Sequence, residues 1–210
     1  MDHDVPATLL CLGAHSDDLE IGCGGTILHL TRTHPNLNVH WIVFSGAEER
    51  GAEAKQSADK FLAKAKSKQV FVKEYRDGFF PYTGGRIKDE FESLKKLGSP
   101  DLIFTHCRND LHQDHRLINE LTWNTFRDHL ILEYEIPKYD GDLGAPNLFV
   151  PLEEDIVKEK VDILTTVFRS QKDKHWFSEV LFRGVMRLRG MECARSGYAE
   201  AFYSRKLMVK

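Results

Sequence analysis

Residues 8–12 read Thr-Leu-Leu-Cys-Leu and are followed at once by Gly13. A short, uninterrupted apolar run that stops at a glycine is typical of a strand buried on both faces, as the strands of parallel sheets are. Similar runs recur along the chain, the last of them weaker, at residues 39–44, 69–72, 101–105 and 130–134. The sequence therefore predicts five strands of one buried sheet.

Amphipathic helical patterns lie between and after these strands. Residues 50–66 and 86–97 place apolar side chains three and four positions apart, and residues 152–169 do the same after the last run. Strands that alternate with helices of this length indicate βαβ units. The predicted fold is α/β: a Rossmann-like, doubly wound, mostly parallel sheet sandwiched by helices.

The length of the chain favours one domain. Its 210 residues exceed only slightly the roughly 100–200 residues of a typical domain, so we predict a single domain over residues 1–210. Residues 137–151 contain three prolines and two glycines, which predicts a loop or lid over a site rather than a linker. A chain of this length can bury a sufficient hydrophobic core without a structural metal ion, so we expect any bound metal to have a catalytic role.

Composition argues against several classes of partner. Lys and Arg number 29 against 32 Asp and Glu, for a formal charge of -3, which gives no electrostatic reason to expect nucleic acid or an anionic membrane. No apolar run approaches the roughly 20 residues of a membrane helix. The four cysteines form no Cys-x-x-Cys pair, and the first residues lack a secretory signal, so we predict a cytoplasmic protein with reduced thiols. The oligomeric state is left open, and a homo-oligomer is compatible with the sequence.

Two polar clusters follow the first and fourth predicted strands. The first comprises His15, Asp17 and Asp18, directly before a glycine-rich segment. The second consists of three histidines and two aspartates: His106, Asp110, His112, Asp114 and His115. Strands one and four are neighbours in the usual order of this architecture, and ligands bind beyond the carboxyl ends of its strands. We therefore expect both clusters in one cleft.

The residue types in this cleft suit a catalytic zinc ion. Such an ion takes three protein ligands from histidine and carboxylate and leaves a fourth position for water. Four side chains compete for the three places, and we assign His15, Asp18 and His115 as ligands, which leaves His112 free. The same donors also accept iron, cobalt or manganese.

The remaining polar residues have the properties that amide hydrolysis needs. Zinc lowers the pKa of its water to about 7, and a nearby carboxylate can take the proton as the oxygen attacks a carbonyl. We assign Asp17 as this base and His112 as the proton donor. Asp114 would hold His112 in the required tautomer.

Three segments resemble the LmbE-like, or PIG-L, zinc-dependent N-acetylglucosaminyl deacetylases: residues 14–18 (AHSDD), 22–26 (GCGGT) and 112–116 (HQDHR). The resemblance implies hydrolysis of N-acetyl groups, mostly on glucosamine-containing substrates. It also implies the roles already assigned: zinc ligands at His15, Asp18 and His115, a general base at Asp17, and His112 backed by Asp114.

Weaker similarity to this family extends over nearly the whole chain. Arg50 resembles the family's substrate-contacting arginine, and residues 198–202 (YAEAF) match near the end. The chain departs from the family at Ser16 and Gln113, where proline is usual. Both replacements leave the local turn less rigid than proline would.

Each of these residues also has an ordinary structural interpretation. Asp17, Asp18 and Asp110 could cap helices, and Arg50 could be a surface ion-pair partner. The glycines of residues 22–25 lack the spacing of a dinucleotide-binding loop and favour close backbone packing instead. His106 could line the pocket or serve the structure, and the aromatic residues Trp176, Phe177 and Phe182 are assigned to packing.

The functional prediction is a metal-dependent hydrolase that removes an N-acetyl group from an acetamido sugar or sugar conjugate. One alternative is an amidase that cleaves a larger N-acyl group. Another is a non-catalytic α/β protein that binds a nucleotide or sugar, because fold alone does not fix function. A fourth is a binding or regulatory protein that retains the metal site without turnover; the presence of Asp17 and His112 beside the ligands argues against it.

Overall fold

The computed structural model describes residues 8–194 and 197–207. The first residues, on which the missing secretory signal was predicted, lie outside these ranges. The described residues form one seven-stranded sheet. Its strands are β1 (Thr8–His15), β2 (Asn38–Ser45), β3 (Ser67–Val72), β4 (Leu102–His106), β5 (Leu130–Tyr134), β6 (Leu148–Leu152) and β7 (Tyr198–Tyr203).

The strand order is β3-β2-β1-β4-β5-β7-β6. The first five strands of this order are parallel, and β1 pairs with both β2 and β4. Strand β7 runs antiparallel to both β5 and β6. The predicted mostly parallel sheet, with strands one and four as neighbours, is confirmed. The order of the strands reverses between β1 and β4, which is where a ligand is expected in such a sheet.

Helices cover both faces of the sheet. They are α1 (Asp18–Thr33), α2 (Glu48–Phe61), α3 (Gly84–Leu94), α4 (Gln113–Thr125), α5 (Glu154–Val167) and α6 (Glu179–Glu192). Helices α1, α2, α5 and α6 bury Trp41 and Phe61 on one face. Helices α3 and α4 bury Phe44 and Phe91 on the other. The predicted sandwich is therefore confirmed.

The predicted loop over residues 137–151 is shorter in the structure, because its last residues belong to β6. In the sequence, Pro151 favoured a loop because proline has no backbone N–H to donate to a neighbouring strand. Strand β6 lies at the edge of the sheet, where proline is tolerated. The loop proper is confined to residues 137–147.

The glycine-rich segment lies inside α1. A Cβ atom at Gly22 would collide with the ring of Tyr134, whose hydroxyl donates to the Leu12 carbonyl at 2.7 Å. A Cβ atom at Gly25 would lie 2.6 Å from Leu152 Cδ1. These glycines let α1 approach the sheet closely, as the packing interpretation predicted. That approach brings the first turn of α1 to the end of β1.

Within residues 8–194 and 197–207, no helix combines the length and the apolar character that crossing a bilayer requires.

Candidate active site

Both polar clusters meet where the strand order reverses. His15 is the last residue of β1, Asp18 is the first residue of α1, and His115 lies in the first turn of α4. They line a cavity of about 220 Å³, which we call the site cavity. One wall carries the polar side chains His15, Asp17, Asp18, Arg50, Asp77, His112 and His115. The other wall comes from residues 136–139 and from Gln171, Lys174 and Trp176.

The three predicted ligands converge on one point. His15 Nδ1 lies 3.1 Å from His115 Nε2 and 3.4 Å from Asp18 Oδ2. His115 Nε2 lies 3.5 Å from Asp18 Oδ1. Bonds of about 2.0–2.2 Å in a tetrahedron place ligand atoms roughly 3.3–3.6 Å apart. The separations of 3.1–3.5 Å, of which the two to Asp18 involve different carboxylate oxygens, are close to those around a zinc ion or a similar divalent metal.

Asp110 fixes the orientation of His115. The imidazole Nδ1 of His115 donates to Asp110 Oδ2 at 2.9 Å, so its Nε2 lone pair faces His15 and Asp18. Metal-binding histidines usually donate their second N–H to a carboxylate in this way. Burial raises the pKa of Asp110, but His115 and Lys138 outweigh burial and hold that pKa well below its usual range.

The structure corrects the prediction that Asp110 caps α4. The residue at the N-cap is His112, whose Nδ1 accepts from the Asp114 backbone N–H at 3.2 Å. Asp110 lies just before it and accepts from the His112 backbone N–H at 2.8 Å. Its other oxygen also accepts from Lys138 Nζ at 2.8 Å. Asp110 therefore connects His115 to the loop over residues 137–147.

Asp114 contacts His15 rather than the imidazole of His112. Its Oδ2 lies 3.2 Å from His15 Nε2, and the carboxylate accepts from the Gly78 N–H at 2.7 Å and the Phe80 N–H at 3.1 Å. The predicted tautomer support of His112 comes from the Asp114 backbone N–H rather than from this carboxylate, while the carboxylate opposes the lowering of the His112 pKa, as predicted. Side chains two positions apart at a helix start do not face each other, so Asp114 points across the cleft.

Carboxylates surround His15. Besides Asp18 and Asp114, Asp77 places its Oδ1 3.1 Å from His15 Nε2. Burial lowers the pKa of His15, but these three carboxylates outweigh burial and hold it well above its usual range. The same negative surroundings favour a bound cation.

Asp17 is buried beside the predicted ligands. Its Oδ1 accepts from Arg50 Nη2 at 3.1 Å, whereas its buried Oδ2 has no hydrogen-bond partner among the described residues. Burial raises the pKa of Asp17, and Arg50 opposes that shift. Asp17 lines the site cavity, where the free oxygen can accept a proton.

His112 lies within reach of the same point. Its ring centroid is 4.9 Å from that of His15 and 4.5 Å from that of His115. These three histidines each offer a nitrogen within 4.8 Å of the others. Burial and the neighbouring His15 lower the pKa of His112. The structure thus brings all four competing side chains together, and the assignment of His15, Asp18 and His115 stays a prediction.

His106 supports the site from beneath. It is fully buried, and its Nε2 accepts from the Ala14 backbone N–H at 3.0 Å. Its ring stacks on that of His115 with centroids 3.9 Å apart. His106 does not line the site cavity, but its Nε2 lies 3.2 Å from Asp18 Oδ2, and Asp18, His106 and His115 also form a group whose donor atoms could hold a metal ion.

Sequence reasoning missed several residues of the cavity. Asp77 follows β3 as Arg50 follows β2, so inspection of every strand end could have found it; its hydrogen bond with His15 lowers its pKa to about 2. Gln171 is only 2% exposed, and its Oε1 has no partner among the described residues. Trp176, which was assigned to packing, does pack against the core, and it also lines the cavity. No repeating pattern marks Gln171 and Trp176 in the sequence.

The fold and the site together define a class. This is an α/β protein with a candidate metal centre of histidines and carboxylates at the carboxyl edge of a doubly wound sheet. Its chain also matches the family described as PIG-L: GlcNAc-PI de-N-acetylase over residues 10–126. Because this match covers more than half of the 210 residues, the chain belongs to the PIG-L family.

Solved structures share the fold along almost the whole chain. N,N'-diacetylchitobiose deacetylase from Pyrococcus horikoshii has a TM-score of 0.74 and 24% identity, with 95% of this chain and 84% of that chain covered. A conserved protein from Thermus thermophilus has a TM-score of 0.74 and 18% identity, with 96% of each chain covered. The 4-carboxy-2-hydroxymuconate hydratase from Pseudomonas putida has a TM-score of 0.70 and 16% identity, with 97% of this chain and 98% of that chain covered. At these identities the similarity establishes the fold.

Proposed function

We propose that this protein is a metal-dependent hydrolase that removes an N-acetyl group from an acetamido sugar or sugar conjugate. The observation that carries the proposal is the convergence of His15, Asp18 and His115 within 3.5 Å of one another, beside the unpartnered oxygen of Asp17. Membership of the PIG-L family supports it. The fold does not decide the reaction, because the structural relatives include a hydratase as well as a deacetylase.

His15, Asp18 and His115 would hold the metal, and Asp110 orients His115. A zinc ion in that position would supply a Lewis acid and a water that loses its proton near neutral pH. The remaining residues of the site then handle the proton and the substrate.

Asp17 acts as the general base in this proposal. Its free Oδ2 takes the proton from the water as the oxygen forms a bond to the amide carbonyl carbon. Arg50 holds the other oxygen of Asp17 at 3.1 Å and so fixes the direction of the carboxylate. As the carbon–nitrogen bond breaks, the proton passes to the departing amine, and acetate remains.

His112 stabilises charge on the carbonyl oxygen. Its Nδ1 accepts from the Asp114 backbone N–H, so the neutral ring carries its hydrogen on Nε2. The lowered pKa of His112 favours this neutral form. A fixed N–H donor stabilises the negative charge that develops on the oxygen during attack. Donation of a proton from His112 to the leaving amine, the role predicted from the sequence, would require the protonated ring, which the lowered pKa disfavours.

Arg50 and Gln171 are the proposed contacts to the substrate. Arg50 lies at the cavity wall, paired with Asp17 and with Asp77 Oδ2 at 3.5 Å. Gln171 offers a buried amide oxygen with no partner in the described residues, and a sugar hydroxyl would satisfy it. A buried polar atom of this kind costs free energy unless it is paired.

Release of acetate tests the proposed function. We expect untagged protein supplied with zinc or ferrous iron to liberate acetate and free amine from N-acetylglucosamine and its simple glycosides. The Asp17→Asn variant should keep the metal and lose most of the rate, by a factor of about 10²–10⁴, since it lacks only the base. Retention of near-normal kcat in Asp17→Asn would contradict the assigned base. Absence of acetate from metal-loaded wild-type protein would contradict the function.

A further inference from the structure

A second cavity adjoins the site cavity. Its volume is about 540 Å³, within the roughly 300–1,000 Å³ of small-molecule pockets. The two cavities share part of their lining, namely residues 137–139 and Trp176. We call the second one the side cavity. The two cavities therefore lie side by side, so a ligand in the site cavity can extend into the side cavity.

The side cavity is lined mainly by apolar side chains. They come from the loop over residues 137–147, from the segment before α6 and from α6 itself: Tyr139, Leu143, Trp176, Leu181 and Val185. Tyr139 is 74% exposed, and Leu143 is also open to solvent. A concave apolar surface of this kind beside a polar site marks a place for an apolar ligand group.

The cation in the shared wall is already neutralised. Lys138 Nζ donates to Asp110 Oδ2 at 2.8 Å and to Asp142 Oδ1 at 2.9 Å. Lys138 therefore presents no uncompensated charge that would select an anionic group. His175 also lines the side cavity and packs its ring against that of Tyr139, with centroids 5.4 Å apart. The lining is otherwise mainly apolar and favours an apolar occupant.

We propose that the side cavity binds an alkyl or aryl group attached to the sugar of the substrate. The substrate class is then an N-acetylamino sugar with an apolar substituent, and the residues that select it are those of the side cavity. This inference rests on the proposed function, which puts the acetamido group in the site cavity. It also assigns Trp176 and Tyr139 to both parts of the ligand, because both line the two cavities.

A series of alkyl glycosides tests the inference. We would measure the binding of methyl, butyl and hexyl glycosides of N-acetylglucosamine to the metal-loaded Asp17→Asn protein by calorimetry, and acetate release by the wild type. Burial of each methylene is worth about fourfold in affinity. Affinity and kcat/KM should therefore rise steeply from methyl to hexyl, by at least about tenfold.

Two substitutions in α6 form a matched pair. Val185→Asp puts a charge into the side cavity and should flatten the series, so that butyl and hexyl glycosides lose their advantage. Val180→Asp is the control, since Val180 lies on the same helix, is 82% exposed and does not line the cavity. Thermal unfolding checks that both variants fold, and Leu181→Asn replaces Val185→Asp if the latter does not.

The outcomes separate this inference from the proposed function. Turnover of all three glycosides at equal kcat/KM would overturn the side cavity as a substrate subsite and leave the deacetylase standing. Chain-length-dependent binding without acetate release would support the subsite and overturn the deacetylase. A dimer that Val185→Asp dissociates, with no chain-length dependence, would show that a second copy covers the cavity and would overturn the inference.

Discussion

At the scale of single residues, the sequence predicted which side chains meet in the cleft but not their hydrogen-bond partners. His15 ends the first strand and Asp18 follows it closely, and the end of that strand brings both side chains into the cleft. The partners of Asp110 and Asp114 depend on the direction in which α4 leaves β4 and on the position of Gly78 and Phe80. Those directions are set by tertiary packing, so no local pattern could reveal them.

The carboxylate of Asp110 has a measurable role in metal binding. In Asp110→Asn, the amide would weaken the acceptor for His115 Nδ1–H and free the ring to change tautomer. We expect the dissociation constant of the metal to increase about 10–100-fold, measured by competition with a chelating dye. Asp142→Asn is the matched control, because Asp142 also contacts Lys138 but not His115. Equal affinities in Asp110→Asn and wild type would contradict the role of Asp110.

Glu20 couples stability to pH. It is fully buried in α1, neither of its oxygens has a partner among the described residues, and burial raises its pKa well above the ordinary 4.5. Because the folded state holds the proton more tightly than the unfolded state, Glu20 adds no ionisation penalty to stability below about pH 4.5, and this penalty grows as the pH rises toward the folded-state pKa.

Glu20→Gln should remove this dependence. We compare the free energy of unfolding of Glu20→Gln with that of wild type at about pH 4 and pH 8. The difference, variant minus wild type, should be larger at the higher pH, by about 1.4 kcal/mol for each pH unit by which burial raises the pKa of Glu20. Urea unfolding at both pH values measures this difference, with Glu49→Gln, an exposed position in α2, as control. If the difference in unfolding free energy between Glu20→Gln and wild type is the same at both pH values, Glu20 does not have the raised pKa that its burial implies.

At the scale of elements, the buried parallel strands were predictable and the antiparallel edge was not. Strands β1, β2, β4 and β5 are largely uninterrupted apolar runs, and β3 adds a shorter one. Strand β7 carries the buried Glu200, whose charge is compensated by Lys160 from α5, 40 positions away. A buried ion pair between distant segments leaves no periodic signal, so β7 was hidden.

That ion pair joins three elements. Lys160 Nζ, in a residue only 2% exposed, donates to Glu200 Oε1 at 2.6 Å and to the Ile21 carbonyl at 2.6 Å. Glu200 also accepts from the backbone N–H groups of Gly25 and Thr26. The pair thereby connects α5 and β7 to the helix that begins at Asp18.

Lys160→Met should destabilise the protein strongly. It leaves the Glu200 carboxylate buried without its cation, which costs about 3–5 kcal/mol, measured as the free energy of unfolding in urea. Arg183→Met breaks ion pairs with Glu154 and Glu179, both exposed, and should cost less than about 1 kcal/mol. Similar losses in both variants would show that Lys160 contributes only as a surface ion pair does.

At the scale of the whole molecule, the two halves of the site differ in origin. The family match ends at residue 126, and it contains all the predicted ligands and the base. The opposite wall of the site cavity and the whole side cavity come from residues after that point. We therefore expect the reaction to reside in the first part of the chain and the choice of substrate in the second.

The single domain over residues 1–210 stays a prediction. The structure puts α5 and α6, from the second part of the chain, in the same core as α1 and α2. A shared core favours cooperative unfolding of the whole chain.

The most direct measurement is the metal content of the untagged protein by elemental analysis after equilibration with zinc. The account predicts about one zinc per chain in wild type, the same amount in Asp17→Asn, and loss of the metal in Asp18→Ala. Absence of metal from wild type, or equal metal in Asp18→Ala, would contradict a centre built on His15, Asp18 and His115.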